Sequence, residues 1–382
     1  MKITNVEAFT VTVPVSEEDK RFHKAYSEGV VRLSTDEDIA GYGFCYPARG
    51  LGDRGRFGLP TVEALEQQIK PRLVGQDPFK IGLFMKQGLL QYGALEHALW
   101  DIVGKAAGKP VYRLLGAHKD KVQVYLTLSF NVNGRWSHGT LDYVPSEMAA
   151  EAAAHYLKHG FKGVKIRFYH APGNGLDNVR AMKEAVGDKM HIFVDKTGKF
   201  YSPLWDYQTG LDAARQLEKL GATWLEEPFD RWDAETHARL RKEVDILITG
   251  GEFLTVENFR EFAAKESFDI FQPHCMEPIL TLRKIGMLGE VFGVDCNPHG
   301  SHGLQLAAGL QADAAAPNCW IQEIVFTCYP LLPQEQWEPL NVLTKNRSLY
   351  KVEDGCIVMS DAPGLGVEVD EDAINQYRVE EA

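Results

Sequence analysis

A chain of 382 residues is longer than one compact hydrophobic core usually serves, so two domains are expected. Its composition, with 45% hydrophobic, 25% charged and 10% aromatic residues, is that of a soluble globular protein. The net charge of −12 argues against a nucleic-acid partner, because phosphate binding needs a basic face. It does not exclude a small anionic substrate, which feels only its local site.

The cysteines and the N-terminus indicate where the protein works. The six cysteines include no CxxC pair and no dense framework, which favours free thiols in a reducing cytosol. The opening sequence MKITNVEAFTVTVPV alternates like a strand and lacks the apolar core of a signal peptide. No stretch reaches membrane-spanning length. We therefore expect a cytoplasmic protein that does not interact with a membrane.

Residues 1–118 predict an N-terminal domain in which strands precede helices. Alternating apolar residues predict strands over 3–14, 29–33 and 39–44, which would form an antiparallel meander. Apolar residues at helical spacing predict helices over 61–73 and 92–107. Two polar loops, 16–27 and 46–52, carry candidate substrate-binding residues: His23, Lys24, Tyr46 and Arg49.

From residue 119 to about 344 the pattern changes to strand followed by helix, repeated eight times. The predicted strands are Val122–Phe130, Gly163–Phe168, His191–Val194, Thr223–Leu225, Ile246–Thr249, Asp269–Gln272, Gly293–Cys296 and Trp320–Gln322. Eight such units over about 200 residues are typical of an α/β fold, the (β/α)₈ barrel. An open doubly wound sheet is the alternative, but no glycine-rich phosphate loop follows the first strand.

Three carboxylates follow the third, fourth and fifth predicted strands: Asp195, Glu226 and Glu252. Each is separated from the next by about one strand–helix unit of roughly 30 residues. If the strands are neighbours in a parallel sheet, the three acids emerge at one end. Their mutual repulsion would be relieved by a divalent cation, and hard oxygen ligands suit Mg²⁺. The sequence therefore predicts a magnesium site at the barrel mouth.

The other predicted strand ends also carry chemistry-bearing residues. Lys165 and Arg167 lie two apart, on one face of the second strand. His274 follows the sixth strand, His299 and His302 follow the seventh, and Glu323 follows the eighth. A metal flanked by proton-transferring groups suits abstraction of the proton α to a carboxylate, with an enediolate intermediate. Alternatively, the histidines are ordinary barrel-mouth residues, and Lys165 and Arg167 are counter-ions.

These residues and several motifs resemble the enolase superfamily, and within it the mandelate racemase subgroup of acid-sugar dehydratases and racemases. The resemblance runs nearly end to end. The matching segments are Leu95–Asp101, Gly160–Lys165, Trp224–Pro228, Gly251–Glu252, Pro317–Asn318 and Pro363–Glu368. The resemblance implies a modified (β/α)₈ barrel at 119–344 and an α+β capping domain at 1–118, completed by residues 345–382.

The resemblance also implies roles for individual residues. It assigns Mg²⁺ binding to Asp195, Glu226 and Glu252, and acid/base chemistry to His299. Glu323 falls at the position whose carboxylic acid hydrogen-bonds the substrate carboxylate. The loops 16–27 and 46–52 fall where the capping domain closes over the barrel. Substrate-binding candidates are then His23, Lys24, Tyr46, Arg49, Lys196, His274 and His302.

Two departures from the family pattern bear on the reaction. Arg167 stands where the family usually has a lysine base, and arginine stays protonated. His274 replaces the aspartate that normally orients the histidine, so His299 needs another partner to fix its tautomer. The glycine pair that usually follows is replaced by Glu277-Pro278-Ile279-Leu280. Both losses count against a racemase that needs a base on each face.

Three functions remain open at this point. The first is a Mg²⁺-dependent lyase that dehydrates a sugar acid to a 2-keto-3-deoxy acid. The second is a racemase, epimerase or cycloisomerase on a related hydroxy acid or lactone. The third is a catalytically weak sensor or binding protein that has kept the metal site. Each takes a small-molecule carboxylate, and the family's habit suggests a homo-oligomer.

Overall fold

The computed structural model describes residues 1–15, 25–49, 52–133, 135–137, 144–168, 173–196 and 203–379. His23, Lys24 and most of the predicted loop 16–27 therefore lie outside the described residues. No described helix combines the length and apolarity that a membrane crossing would need.

The N-terminal region is an antiparallel sheet with one helix packed directly on it. Its strands are β1 (Ile3–Pro14), β2 (Ala25–Thr35), β3 (Ala40–Arg49) and the short parallel β4 (Gly58–Leu59). The three predicted strands are confirmed: the first has the predicted bounds, and the second and third are longer than predicted. A Cβ built on Gly43 of β3 would lie 2.0 Å from the carbonyl oxygen of Ala94, so glycine is required for this close approach.

The N-terminal helices surround this sheet. They are the 3₁₀ turn Gly52–Phe57, the π-turn Ala64–Ile69, α1 (Lys70–Leu73), α2 (Ile81–Lys86), α3 (Gly93–Ala107) and α4 (Val111–Leu114). The prediction of one regular helix over 61–73 was wrong in its form, since a π-turn and a four-residue helix share the segment. Pro71, which has no N–H to donate, lies at the junction. The predicted helix ending at 107 is confirmed.

Eight parallel strands form the barrel. They are β5 (Lys121–Ser129), β8 (Gly163–Arg167), β9 (His191–Asp195), β10 (Trp224–Glu226), β11 (Leu247–Gly250), β12 (Ile270–Phe271), β13 (Asp295–Cys296) and β14 (Gln322–Cys328). Their order is β14-β5-β8-β9-β10-β11-β12-β13, and a bridge between Ser301 and Ile324 connects the last strand back to β14. The two-residue strands β6 (Asn131–Val132) and β7 (Arg135–Trp136) form a separate hairpin. The predicted fold class is confirmed.

The eighth strand differs from the prediction. It was expected at Trp320–Gln322 with Glu323 after it, but β14 starts at Gln322 and runs to Cys328. Glu323 therefore lies inside the strand, paired in register with Tyr125 of β5. The apolar residues after Glu323 continue the ladder with β5, which the short predicted run did not reveal.

Helices cover the outside of the barrel. The described ones are α5 (Ser146–Lys158), α6 (Gly173–Val186), α7 (Tyr207–Leu220), α8 (Ala234–Arg241), α9 (Val256–Ala264), α10 (Ile279–Phe292), α11 (Ala307–Ala314) and α12 (Pro333–Gln336). Three 3₁₀ turns supplement them: Gly187–Lys189, Gly303–Leu306 and Glu338–Leu343.

An aromatic layer fills the barrel below its mouth. Tyr125, Phe193 and Trp224 are fully buried, and the rings of Phe193 and Trp224 stack with centroids 3.6 Å apart. Side chains two apart on a strand share a face, so Asp195 and Glu226 point to the same side as these two rings. The layer therefore forms an apolar floor beneath the charged residues at the strand ends.

The C-terminal segment contacts both parts of the molecule. Strands β15 (Lys351–Glu353) and β16 (Cys356–Val358) form a hairpin that pairs with the start of β5. After α13 (Glu371–Gln376), β17 (Arg378–Val379) pairs with β1 and becomes the edge strand of the N-terminal sheet. The domain boundaries at 118 and 345 stay predictions.

The two sheets are also joined by a buried carboxylate. Glu96 of α3 accepts hydrogen bonds from the backbone N–H groups of Ile279 (2.7 Å) and Leu280 (3.1 Å), at the start of α10. The N-cap residue of that helix, Pro278, has no capping side chain. Glu96 therefore satisfies N–H groups that a helix N-terminus leaves unpaired, from a different sheet layer.

Candidate active site

The ends of β8, β9 and β10 bring four charged residues together. Arg167 is paired in register with Asp195, and Asp195 with Glu226, so the last residues of three neighbouring strands lie side by side. Lys165, two residues before Arg167, points to the same face. The strand register thus brings these four residues together at one end of the sheet.

Lys165 forms the centre of this charge cluster. Its ammonium group is fully buried and lies 2.9 Å from Glu226 Oε2, 2.8 Å from Glu323 Oε1 and 3.7 Å from Asp195 Oδ2. Burial lowers the pKa of Lys165, but the carboxylates of Glu226, Glu323 and Asp195 outweigh it and raise the pKa above its usual range. Lys165 is therefore a fixed cation in this arrangement.

Arg167 supplies a second fixed cation on the same strand. Its Nε donates to Asp195 Oδ2 at 3.1 Å, and its guanidinium carbon lies 5.0 Å from the centre of the Phe326 ring. Because a guanidinium group does not lose its proton in proteins, neither residue of this strand offers a free base.

Glu226 and Asp195 are crowded carboxylates. Burial first, and Asp195 second, raise the pKa of Glu226 well above its ordinary value, while Lys165 opposes them. Gln272 donates to Glu226 Oε2 at 3.2 Å and adds a neutral partner. Negative charge here is only partly compensated by the protein, which is the electrostatic setting that a bound divalent cation would relieve.

Glu252 lies two residues beyond the end of β11, next to a different cation. Arg231 Nη2 lies 3.3 Å from Glu252 Oε2, and His299 Nε2 lies 3.7 Å from Glu252 Oε1. Burial raises the pKa of Glu252, but His299 and Arg231 outweigh it and lower the pKa to about 2. The same arginine, Arg231, also pairs with Glu227, the residue after Glu226. Glu227 accepts a hydrogen bond from the Gly251 N–H.

His299 faces this cluster from the other side of the mouth. Its Nε2 lies 3.7 Å from Glu252 Oε1 and 3.7 Å from Glu323 Oε2. Its Nδ1 is buried and has no hydrogen-bond partner among the described residues. The geometry therefore contains a histidine between two carboxylates whose second ring nitrogen has no described acceptor to fix its tautomer.

His274 does not replace the missing carboxylate partner. Its Nδ1 accepts the backbone N–H of Met276 at 3.2 Å, which assigns the ring proton to Nε2, 3.3 Å from the Tyr46 hydroxyl. Burial, followed by His299, lowers the pKa of His274 to about 3. A neutral ring whose Nδ1 lone pair already accepts the Met276 N–H cannot accept a hydrogen bond from His299 Nδ1 as a carboxylate would.

Glu323 is held as an anion. Lys165 donates to Oε1, the Gly300 N–H donates to Oε2 at 2.9 Å, and the Thr127 hydroxyl donates to Oε1. Burial raises the pKa of Glu323, but Lys165 and then His299 outweigh it and leave the pKa far below the ordinary value. This charge state differs from the carboxylic acid that the family resemblance implies at this position.

The N-terminal region packs its 3₁₀ turn onto His274. The Phe57 ring stacks on His274 with centroids 4.3 Å apart. Arg56 forms an ion pair with Glu277 at 2.7 Å and donates to the Phe253 carbonyl at 3.1 Å. The loops after β11 and β12 are thereby fastened to the segment at 52–57, which directly follows the predicted substrate-selecting loop 46–52.

Ligand-atom spacing identifies one compact group of metal-binding residue types. Among the described residues, atoms of Glu252, His274 and His299 all lie within 4.8 Å of one another. Asp195 and Glu226 do not belong to this group; they face Lys165 and Arg167 instead. Because His274 Nδ1 already accepts a hydrogen bond, the carboxylates remain the donor set that best suits a hard cation.

The remaining substrate-binding candidates are dispersed. Tyr46 lies beside His274, but the Arg49 guanidinium donates to the carbonyl oxygens of Ala8 and Pro60 within the N-terminal sheet. Lys196 donates to the Pro203 carbonyl at 2.8 Å and lies over the Trp205 ring. His302 is half-buried and precedes the 3₁₀ turn at 303–306.

Sequence reasoning missed several residues of the site. Arg231, Gln272 and Phe326 each contact a predicted site residue, yet they were not predicted. Arg231 pairs with Glu227 in the irregular segment between β10 and α8, so their spacing of four residues carried no helical signal for this ion pair. Nothing in the sequence around Phe326 indicates its contact with Arg167, because the contact depends on an irregularity in β14.

Comparison with known proteins gives a consistent result. Residues 10–116 match the model of the mandelate racemase / muconate lactonizing enzyme N-terminal domain, and residues 147–373 match the enolase C-terminal domain-like model. Arabinonate dehydratase of Saccharolobus solfataricus is 29% identical over 364 residues, covering 91% of this chain and 89% of that protein. L-talarate/galactarate dehydratase of Salmonella typhimurium is 29% identical over 367 residues, covering 90% and 81%.

Relatives with other reactions and solved structures match as well. N-succinyl-L-Arg/Lys racemase of Bacillus cereus is 25% identical, and D-galactarolactone cycloisomerase of Agrobacterium fabrum is 27% identical, each over 99% of this chain. The crystal structure of mandelate racemase/muconate lactonizing enzyme from a Sulfitobacter species superimposes with a TM-score of 0.77 at 25% identity, covering 100% of this chain and 96% of that one.

Proposed function

Because the chain belongs to the mandelate racemase / muconate lactonizing enzyme family of the enolase superfamily, we propose that it dehydrates a sugar acid to a 2-keto-3-deoxy acid. It is an enzyme of this superfamily, whose matching relatives include dehydratases, a racemase and a cycloisomerase. The reaction begins with removal of the proton α to the substrate carboxylate.

Membership of the family implies a divalent metal ion, and we propose Mg²⁺ held by Asp195, Glu226 and Glu252. The residue types suit a hard cation, since all three are carboxylates at neighbouring strand ends, but their oxygens do not lie within 4.8 Å of one another in the described structure, so the ion would have to draw them together. A divalent cation held there would stabilise the negative charge that develops on the substrate carboxylate.

The observation that carries the choice of reaction is the asymmetry of the two faces. Lys165 and Arg167 on one face are both committed to carboxylates as cations. On the other face, His299 is the group that can take and return a proton. Racemisation needs a competent base on each face, whereas elimination needs one base and acid help for the leaving group.

His299 would carry both proton transfers. It takes the α-proton from the substrate, and Lys165 and Arg167 stabilise the resulting enediolate. As the bond between the β-carbon and its hydroxyl breaks, His299 returns the proton to the departing oxygen, which leaves as water. The enol product then tautomerises to the 2-keto acid, so the atoms balance without an oxidant or reductant.

The test is a library of sugar acids assayed with Mg²⁺ for the appearance of a 2-keto acid. Turnover of at least one acid is expected, and its product should contain one solvent-derived hydrogen at C3 when the reaction runs in D₂O. The proposal would be overturned if no acid were converted and no acid exchanged its α-proton with solvent. That result would favour a sensor or binding protein.

Cycloisomerisation is the second candidate, because it also needs only one base. In that reaction a ring oxygen, rather than a hydroxide, leaves from the β-position. The 27% identity to D-galactarolactone cycloisomerase, which covers 99% of each chain, supports this candidate. A product with the same mass as the substrate would distinguish it from dehydration, which loses one water.

We further propose that the protein binds a small-molecule carboxylate and forms a homo-oligomer. We propose no nucleic-acid or membrane partner. A reducing cytoplasm suits the six cysteines, which are all free thiols. The oligomer follows the habit of the family, and light scattering of the purified protein would test it.

A further inference from the structure

Phe326, in the eighth barrel strand, has a backbone conformation that side chains rarely adopt. Its φ is +55°, and of the described non-glycine residues with positive φ it is the aromatic one. A bulky side chain in this region is a strained outlier, and such outliers persist only where surrounding contacts impose them. We therefore expect contacts that impose this backbone conformation on Phe326 and a function that the conformation serves.

The cause is a bulge in β14. Between the pairs Ile324–Leu126 and Thr327–Leu128, β14 advances three residues while β5 advances two. The extra residue bends the strand and changes where its side chains point, as bulges near active sites do. Phe326 lies within this extra segment and is half-buried at the barrel mouth.

Gln336 holds the bulge in place. Its side-chain amide donates to the Phe326 carbonyl at 3.1 Å and accepts from the Cys328 N–H at 2.8 Å. The Gln336 carbonyl in turn accepts the Tyr26 hydroxyl of β2. The buried Gln336 side chain thus ties both ends of the bulge, and Tyr26 of the N-terminal sheet holds the Gln336 backbone.

The result is a ring placed against Arg167. The guanidinium carbon lies 5.0 Å from the centre of the Phe326 ring, within the range of a cation–π contact, while Arg167 Nε donates to Asp195 at 3.1 Å. The planar group is therefore restrained by a carboxylate at one edge and by an aromatic ring. An ammonium group has no plane for such a contact to orient.

We infer that Phe326 is a positioning residue that fixes the plane of the Arg167 guanidinium so that its fork meets the carboxylate of the substrate. The inference rests on the proposed function, because it gives Arg167 the role of a clamp on a substrate carboxylate. This role explains how an arginine can bind the substrate where the family resemblance implies a lysine. The bulge places the Phe326 ring against the guanidinium group and so orients it. A bidentate pair between guanidinium and carboxylate needs this orientation.

The contact itself is tested without substrate. Urea unfolding is measured for the wild type, Phe326→Leu, Arg167→Met and the double variant, with Phe292→Leu on the outer face of α10 as the matched control. The two site substitutions are expected to be non-additive by about 2- to 10-fold in the unfolding equilibrium. Phe292→Leu should be additive with Arg167→Met. Additive effects of Phe326→Leu and Arg167→Met would overturn the contact.

The positioning role is tested with the acid that the library identifies. Phe326→Leu is expected to lower kcat/KM by about 3- to 30-fold in the wild type but less than 2-fold in the Arg167→Met background. Phe326→Tyr, which keeps the aromatic face, should retain activity within about 2-fold. Equal losses in both backgrounds, or failure of Phe326→Tyr to retain activity, would overturn the role. If no acid is turned over, the proposed function fails, while the unfolding cycle still decides the contact.

Discussion

The two halves of the barrel mouth treat buried titratable groups in opposite ways. On the cation side (Lys165, Arg167, Asp195 and Glu226) each carboxylate has a protein cation within 3.1 Å. On the histidine side, the carboxylates nearest to His299 lie at 3.7 Å, His274 is hydrogen-bonded to neutral groups, and the buried acid Glu28 accepts from the neutral Gln305. One half is built to hold charge, and the other is built to exchange a proton.

Glu28 is a buried acid that is connected through Gln305 to the loop after β13. It is fully buried in β2, and its Oε2 accepts from Gln305 at 2.8 Å, while Gln305 accepts from the Ser301 hydroxyl. Burial raises the pKa of Glu28 to about 8. The loop that carries His299 is therefore supported by a carboxylic acid that is mostly neutral at pH 7.

The largest expected effect comes from withdrawing the divalent cation that the cation side is proposed to hold. Treatment with a chelator should abolish turnover, and added Mg²⁺ should restore it. Mg²⁺ at about 100 times its dissociation constant should also stabilise the protein by about 2.7 kcal/mol, because it binds the folded state only. Activity that survives complete chelation, checked by metal analysis, would contradict the assignment of Asp195, Glu226 and Glu252.

Removing the proton-transferring group of the histidine side should have the next largest effect. His299→Asn is expected to lower kcat by about 10²- to 10⁴-fold, the usual contribution of a general acid–base residue. Metal binding, followed by Mg²⁺-dependent thermal shift, should persist. The matched control is His159→Asn at the exposed end of α5, where kcat should stay unchanged. A His299→Asn enzyme with more than a tenth of the wild-type kcat would refute the role.

Breaking the charge balance of the cation side should reduce stability. Lys165→Met leaves Glu226 and Glu323 buried without their cation, which is expected to destabilise the metal-free protein by about 3–5 kcal/mol. Mg²⁺ should then stabilise this variant more than the wild type, because it replaces the lost charge. Chemical denaturation with and without Mg²⁺ measures both effects.

The control for that experiment is an exposed pair on the same barrel. Lys121→Met removes a surface partner of Glu353 at 3.1 Å and should change stability by less than about 1 kcal/mol. If Lys165→Met were equally mild, the buried cluster would not depend on its lysine.

The smallest expected effect concerns pH and the histidine side. The pKa of Glu28 is raised on folding from 4.5 to about 8, so the folded protein binds more protons than the unfolded chain between these values. Stability should therefore fall as pH rises from about 4.5 to 8, and Glu28→Gln should flatten this slope and add about 1 kcal/mol or more at pH 8. Thermal unfolding across this range, with the exposed Glu66→Gln as control, measures it. An unchanged slope would show that Glu28 is not buried as described.

Much of the fold and part of the site could be predicted from local patterns. The strand that ends at Asp195 could be predicted from its apolar run, and its position beside the strand that ends at Glu226 from the strand–helix spacing. The contact between Arg167 and Phe326 could not be predicted, because it needs a bulge whose extra residue is defined by pairing with β5. The same applies to Glu323, whose strand was predicted too short.

The sequence by itself determined that Arg167, Asp195 and Glu226 would stand near the ends of successive strands, because apolar runs and strand–helix spacing are local properties of the chain. Only the tertiary structure decided which of those charges are neutralised, which ring nitrogens are occupied and which groups stay neutral. Burial and distances between residues far apart in sequence set the pKa of Lys165, Glu226 and His274. Those quantities exist only once the strands have closed into a barrel.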